Sequence, residues 1–118
     1  MSISLAQIAV DSADVRALAT FWAQVFQTDV DAGGNEFMST VNRAGGSGPA
    51  MMFLQVPEKP AGAKNRLHLD LSSSDWAADV DRIISLGAKR EAEFNEYGTH
   101  WITLTDPEGN VFDLAEAH

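Results

Sequence analysis

The chain has 118 residues, the size of one compact domain, and its 8 Lys and Arg against 17 Asp and Glu give a net charge of −9. So negative a surface repels nucleic-acid phosphates and anionic membranes, and we expect neither as a partner. The absence of cysteine excludes disulfides and cysteine nucleophiles and is typical of a reducing cytoplasm. With no secretory leader and no apolar run of roughly 20 residues, the sequence predicts a cytoplasmic protein.

The first half of the chain predicts a strand, a helix and two or three further strands. A short β-branched run at residues 3–10 indicates the first strand. Asp14 then opens a segment with apolar residues at helical spacing, which predicts an amphipathic helix with an acidic residue near its positive end. Extended stretches follow at residues 36–42 and 50–56, separated by a glycine-rich loop.

The second half begins after a linker at residues 57–64, which contains two prolines and cannot sit in a central strand. A strand at residues 65–71 precedes a helix from Asp75 to Gly87, and the serines at 72–74 offer an N-cap. Three extended segments complete the chain, at residues 88–94, 99–105 and 111–116. The last two are joined by Asp-Pro-Glu-Gly-Asn, which predicts a tight turn.

The order of elements in the second half repeats that of the first. The sequence positions of Gln7 and His68 differ by the same amount as those of Asp14 and Asp75 (68 − 7 = 75 − 14). We therefore predict an α+β protein with two βαβββ modules in tandem, each a curved mixed sheet backed by a helix, with an open cleft on the concave face. The whole chain, 1–118, forms one domain in this prediction, with module one at about 1–56 and module two at about 65–118.

Alternation along the strands predicts which side chains face the cleft. In the strand at 65–71 the leucines Leu67, Leu69 and Leu71 take the helix side, and His68 and Asp70 take the other. The same parity adds four more side chains to the cleft: Gln7, Trp101, Thr103 and Asp113. A cleft with an aromatic wall and a few convergent polar groups predicts a small-molecule ligand, and an imidazole with a carboxylate can bind Zn, Ni, Mn or Fe.

Three sequence features resemble the glyoxalase, bleomycin-resistance and dioxygenase superfamily, also called the vicinal oxygen chelate superfamily. They are LHLDL at residues 67–71, TDPEGNVF at 105–112, and the Phe21 and Trp22 pair in the first helix. The resemblance covers essentially the whole chain, and it is closest to the compact glyoxalase-like branch. It implies paired βαβββ modules around a metal cleft, and a homodimer.

The resemblance also implies a ligand set and a reaction class. Its matching ligand positions are Gln7, His68 and Asp113, while the carboxylate expected late in the first module falls on Met52 or Phe53. A divalent metal of this superfamily chelates two adjacent substrate oxygens and stabilises an enolate-like charge. The base that such an isomerisation needs is Asp113 or the adjacent Asp70.

Several interpretations of these residues stay open at this point. The leading hypothesis is a metal-dependent lyase or isomerase, and the alternative is a metal-free protein that binds or sequesters an antibiotic or metabolite. Extradiol dioxygenase chemistry is disfavoured because it requires a second histidine where Gln7 stands. His68 and Asp113 also have a structural interpretation, His68 through hydrogen bonding and Asp113 through pairing with Arg66. The predicted substrate contacts are Met52, Gln55, Asp70, Trp101 and Thr103.

Overall fold

The computed structural model describes residues 5–43, 48–57 and 67–117. The chain divides into two compact units, Met1–Ala61 and Gly62–His118. Of the predicted linker only Pro57 falls on described residues, so the linker, the module bounds and the single-domain count stay predictions. Neither helix in the described part of the chain is long and apolar enough to cross a membrane.

The first unit is a three-stranded mixed sheet with one helix. Its elements are β1 (Ile8–Ser12), α1 (Val15–Val25), β2 (Met38–Val41) and β3 (Met51–Gln55). The strand order is β1-β3-β2, with β1 parallel and β2 antiparallel to β3. Val30 forms an isolated antiparallel bridge with Val41. A βαβββ module has a further strand between its helix and the next strand, and Val30 lies in that part of the chain, between α1 and β2.

Helix α1 forms because its apolar residues recur along one face and its first turn is capped. The Asp14 carboxylate accepts a hydrogen bond from the backbone N–H of Ala17 at 3.2 Å, which satisfies one of the free amides of the first turn. The buried face includes Leu18 and Trp22, at 0% and 2% exposure. It packs against β2 and β3, where Phe53 is fully buried, so the core of this unit lies between helix and sheet.

The second unit repeats this plan with a larger sheet. Its elements are β4 (Leu69–Ser73), α2 (Trp76–Leu86), β5 (Lys89–Glu96), β6 (Thr99–Thr105) and β7 (Val111–Glu116). The order is β4-β7-β6-β5, with β4 parallel to β7 and the other pairs antiparallel. Its core side chains all lie between α2 and the sheet or at its ends: Val80, Ile83, Ala88, Ile102, Leu104, Phe112 and Leu114. The opposite face of the sheet carries polar residues together with Phe94 and Trp101.

The internal repeat is visible in the bounds of the elements. The offset of β4 from β1 is the same at both ends of the strand (69 − 8 = 73 − 12), and α2 is offset from α1 by that same amount (76 − 15 = 86 − 25). Two mixed sheets, each with a helix, confirm the predicted α+β class and its tandem modules.

The start of the second module differs from the prediction in two ways. Strand β4 begins at Leu69, so His68 precedes the strand, and Leu67 is 87% exposed where we expected it on the buried side. Alternation buries a leucine only where the strand continues, and Leu67 lies before it. The helix N-cap is Asp75 and none of the three serines, because Ser73 still belongs to β4.

The predicted turn between β6 and β7 is confirmed, and a buried carboxylate holds it. Asp106 is 3% exposed. Its Oδ1 accepts from the backbone N–H groups of Glu108 and Asn110, both at 2.9 Å, and its Oδ2 accepts from Asn110 Nδ2 at 2.8 Å. Gly109 has φ +87°, a conformation that favours glycine. The turn thereby holds β7 in register beside β6.

Candidate functional site

The register of three strands brings Asp70, Asp113 and Thr103 into one row on the open face of the second sheet. Asp70 in β4 is the Cα partner of Asp113 in β7, and Asp113 is the partner of Thr103 in β6. Neighbouring strands lie about 4.8 Å apart, so these side chains are within reach of each other. The predicted convergence of these three residues is therefore present within the second unit.

His68, immediately before β4, completes this group. Its Nδ1 lies 2.8 Å from Asp70 Oδ1 and 3.8 Å from Asp113 Oδ2. The side chain of His68 is 36% exposed, that of Asp70 71% and that of Asp113 23%. One imidazole nitrogen thus faces two carboxylates, one at the surface and one partly withdrawn into the sheet.

Thr103 orients Asp113. Its hydroxyl donates a 2.6 Å hydrogen bond to Asp113 Oδ1, while the other oxygen, Oδ2, is the one nearer to His68. The hydrogen bond satisfies one oxygen of a partly buried carboxylate and leaves the second for another partner. We predicted Thr103 as a substrate contact, and the structure places it where it can fix the carboxylate.

The group formed by His68, Asp70 and Asp113 has the donor set of a divalent metal site. One ligand atom from each residue lies within 4.8 Å of the others. Ligands that bind one ion at about 2.1 Å are separated from each other by roughly 3 to 3.5 Å. The 3.8 Å between His68 Nδ1 and Asp113 Oδ2 is close to that span, whereas the 2.8 Å between His68 Nδ1 and Asp70 Oδ1 is a hydrogen-bond distance. One imidazole and two carboxylates suit Zn, Ni, Mn or Fe, so the residues present fit such an ion.

The predicted site residues of the first unit have partners of their own. Gln7 lies one residue before β1, and its Nε2 is 3.5 Å from Met52 Sδ. Gln55, at the end of β3, donates to the carbonyl oxygens of Ala13 at 3.0 Å and Val56 at 3.2 Å. Phe53, one of the two residues on which the carboxylate implied by the resemblance could fall, is fully buried. The roles of Gln7, Met52 and Gln55 stay predictions.

A cavity of about 570 Å³ opens on the same face of the second sheet, a size typical of small-molecule sites. It is lined by His68, Glu91, Ala92, Phe94, Trp101, Thr103, Thr105, Val111 and Asp113. Strand parity found Trp101 and Thr103 but missed Glu91 and Phe94. Phe94 was recoverable from the pairing of the strand at 88–94 with that at 99–105. The position of Glu91 could not be predicted in this way, because a β-bulge in the strand determines which face its side chain points to. Arg66, the alternative partner of Asp113, lies outside the described residues.

The sequence matches the glyoxalase-like domain family over residues 7–115, nearly the whole chain. The chain belongs to this glyoxalase-like family. No match is found among curated proteins. The family match covers both repeated modules, so the resemblance of the sequence motifs is confirmed.

Solved structures share the fold of this glyoxalase-like protein at low identity. A glyoxalase/bleomycin resistance protein/dioxygenase family enzyme from Burkholderia phytofirmans superposes with a TM-score of 0.78 at 19% identity, covering 98% of this chain and 100% of the other. A variant of the fosfomycin resistance protein FosX from Listeria monocytogenes, complexed with Mn(II) and a dihydroxypropylphosphonic acid, gives 0.76 at 15% identity, with 97% and 90% coverage. Lactoylglutathione lyase from Agrobacterium tumefaciens gives 0.65 at 17%, with 99% and 95% coverage.

Proposed function

We propose that this glyoxalase-like protein is a divalent-metal-dependent lyase or isomerase that acts on a small oxygen-rich substrate. The observation that carries the proposal is the convergence of His68, Asp70 and Asp113, with a ligand atom of each within 4.8 Å of the others. A nitrogen and two carboxylate oxygens suit Zn, Ni, Mn or Fe. The Mn(II) in the FosX variant structure supports a metal in this fold.

Each of these residues has a separate task in the proposed site. His68 and Asp113 hold the metal, Asp70 is close enough to His68 to serve as a third ligand or to orient its imidazole, and Gln7 assists. When bound, the metal supplies a Lewis acid that binds two adjacent substrate oxygens and stabilises negative charge developing on them. Such a group lowers the barrier to removal of a proton from the neighbouring carbon.

Asp113 is the proposed proton acceptor. Thr103 donates to its Oδ1, so Oδ2 is the oxygen that would hold a metal, and it would have to release that ion before it could take a proton from the substrate carbon. Asp70 is the second candidate for this role because it lies beside Asp113 in the register and is 71% exposed. Trp101, Thr103 and Asp70 contact the substrate in this proposal, and the substrate contacts expected at Met52 and Gln55 stay predictions.

A metal-free binding protein is the second candidate function. The cavity carries an aromatic wall, Phe94 stacked on Trp101 with ring centroids 5.1 Å apart, which binds a ligand by contact alone. A protein of this kind sequesters an antibiotic or metabolite without converting it.

Metal binding and proton abstraction separate the two functions. Untagged native protein and the variants His68→Ala and Asp113→Asn are each titrated with Mn²⁺, Zn²⁺ and Ni²⁺. Asp81→Asn is the control, because it changes the charge by the same amount as Asp113→Asn at an exposed position of a helix. Exchange of the carbon-bound protons of hydroxyacetone in D₂O then reports on the base. We expect metal-dependent exchange that both site variants abolish and the control retains. Protein that binds none of the three metals, or exchange untouched by Asp113→Asn, contradicts the enzyme.

Assembly and location complete the proposal. We propose a homodimer in the cytoplasm, the first from the superfamily resemblance and the second from the cysteine-free composition. Size-exclusion chromatography with light scattering measures the mass directly, and a mass near 12.7 kDa at micromolar concentration contradicts the dimer.

A further inference from the structure

The cavity on the second sheet has two contrasting walls, and together they define a ligand class. On one side Phe94 and Trp101 are Cα partners across β5 and β6, and their rings stack at 5.1 Å with planes 22° apart. Both rings line the cavity, and Phe94 remains 36% exposed. Stacked rings present a broad apolar surface that matches another flat ring.

A β-bulge supplies the second wall. The pairing of β5 with β6 shifts between Arg90 and Ala92, so Glu91 is the extra residue of the strand. In a regular strand, neighbours point to opposite faces, yet Glu91 and Ala92 both line the cavity. Bulges often re-aim a side chain beside a binding site. Here the bulge turns a carboxylate toward the cavity, where its Oε2 accepts a long hydrogen bond of 3.4 Å from the Thr105 hydroxyl.

The charge of the lining favours a cation. Glu91 and Asp113 contribute two carboxylates, and none of the described residues that line the cavity is a lysine or arginine. Clustered charges of one sign attract ligands of the other, and the net charge of −9 adds to this attraction. The face of Trp101 also attracts cations through its π electrons.

We propose that this cavity binds a planar aromatic cation, with the ring against Trp101 and the positive group toward Glu91. The phosphonic acid in the FosX variant structure is an anion, so the proposed ligand is of the opposite charge class. The proposal rests on the metal-free binding function proposed above, because a divalent ion on His68 and Asp113 would cancel the charge of one of the two carboxylates that line the cavity.

Three probes of similar shape and different charge test the proposal. N-methylquinolinium is the cation, quinoline at pH 7.5 the neutral analogue and 1-naphthoate the anion. Their affinities are measured by calorimetry in the presence of EDTA for the native protein, Glu91→Gln and Asp81→Asn. We expect the cation to bind about fivefold more tightly than quinoline, the anion to bind most weakly, and Glu91→Gln to reduce the cation preference. Asp81→Asn, which changes the net charge equally, retains it.

A second variant tests the aromatic wall. Trp101→Leu is expected to weaken binding of both N-methylquinolinium and quinoline, because both rings lose the same contact. Equal affinities for cation and neutral probe, no detectable cation binding, or equal effects of Glu91→Gln and Asp81→Asn overturn the proposal. A parallel Mn²⁺ titration distinguishes the two proposals. If His68→Ala loses metal binding but keeps the preference for the cation, the result concerns the metal site and leaves the cation proposal standing.

Discussion

At the scale of single residues, the orientation of Asp113 depends on one hydroxyl group. Thr103 donates to Oδ1 at 2.6 Å, and Oδ2 lies 3.8 Å from His68 Nδ1. Without the hydroxyl, no described residue of this site holds the carboxylate by a hydrogen bond, because 3.8 Å to His68 is too long for one. The partly buried Oδ1 also loses its hydrogen bond, which costs free energy of folding.

Thr103→Val is therefore expected to weaken binding of Mn²⁺ or Zn²⁺ by about tenfold, the lower end of the range for residues that orient metal ligands. We expect it to lower the free energy of unfolding by about 1 kcal/mol as well. Calorimetric titration and urea unfolding measure the two effects. Thr99→Val, a like substitution in the same strand, serves as the control, and equal metal affinities for both variants contradict the orienting role.

At the scale of elements, the repeated modules offer a matched pair of helix caps. Asp14 accepts a hydrogen bond from the Ala17 amide, whereas the side chain of Asp75, at the equivalent position of the second module, makes no capping hydrogen bond. We expect Asp14→Ala to cost about 1 kcal/mol of stability and to speed hydrogen exchange at the Ala17 amide. Asp75→Ala is expected to cost less than about 0.5 kcal/mol, and equal losses in the two variants contradict the capping assignment.

Ser73 links the end of β4 to the first turn of α2. Its hydroxyl donates to Asp79 Oδ2 at 2.6 Å, and its Oγ accepts from the backbone N–H of Asp75 at 2.9 Å. The hydrogen bond from Ser73, opposed by partial burial and aided by Arg82, holds the pKa of Asp79 below its ordinary value. Folding therefore favours the ionised form of this carboxyl group.

A lowered carboxyl pKa contributes stability above the pKa of the unfolded chain, about 3.9 for Asp, and that contribution is lost as the pH falls through the lower folded value. Ser73→Ala removes the main cause, so we expect it to lower the free energy of unfolding at pH 7 by about 0.5 to 1 kcal/mol. The difference in free energy of unfolding between Ser73→Ala and the native protein should become smaller toward pH 2.5. Urea unfolding across this range measures it, with Ser72→Ala as control, and a difference that does not change with pH contradicts the assignment.

The elements also show how far the sequence could predict the site. Helical spacing placed α1 and α2, and Asp14 marked the start of α1, because both signals are local; the constant offset between the two halves aligned the modules. Parity placed Asp70, Thr103 and Asp113 together because alternation continues through a regular strand. It failed at Leu67, which precedes β4, and at Glu91, where the bulge interrupts the alternation. Both failures have the same cause: where a strand begins and where it bulges depend on the strand it pairs with, and the sequence of one segment does not determine that pairing.

At the scale of the whole molecule, the three residues of the candidate metal group belong to one unit of the chain. His68, Asp70 and Asp113 all fall within Gly62–His118, whereas Gln7 falls within Met1–Ala61. A ligand that binds only the folded form stabilises it by about 2.7 kcal/mol at 100 times its Kd. The amides that respond to metal therefore report which unit supplies the ligands.

We expect saturating Mn²⁺ to slow hydrogen exchange most strongly in β4 and β7, and His68→Ala to remove the effect. Gln7→Ala is expected to lower Mn²⁺ affinity less than tenfold, because an amide oxygen is a weaker ligand than an imidazole or a carboxylate. Exchange followed by mass spectrometry with and without the metal measures the protection, and Asp81→Asn should behave as the native protein. Loss of all protection in Gln7→Ala contradicts a site carried by the second unit, since that residue would then be indispensable to the ion.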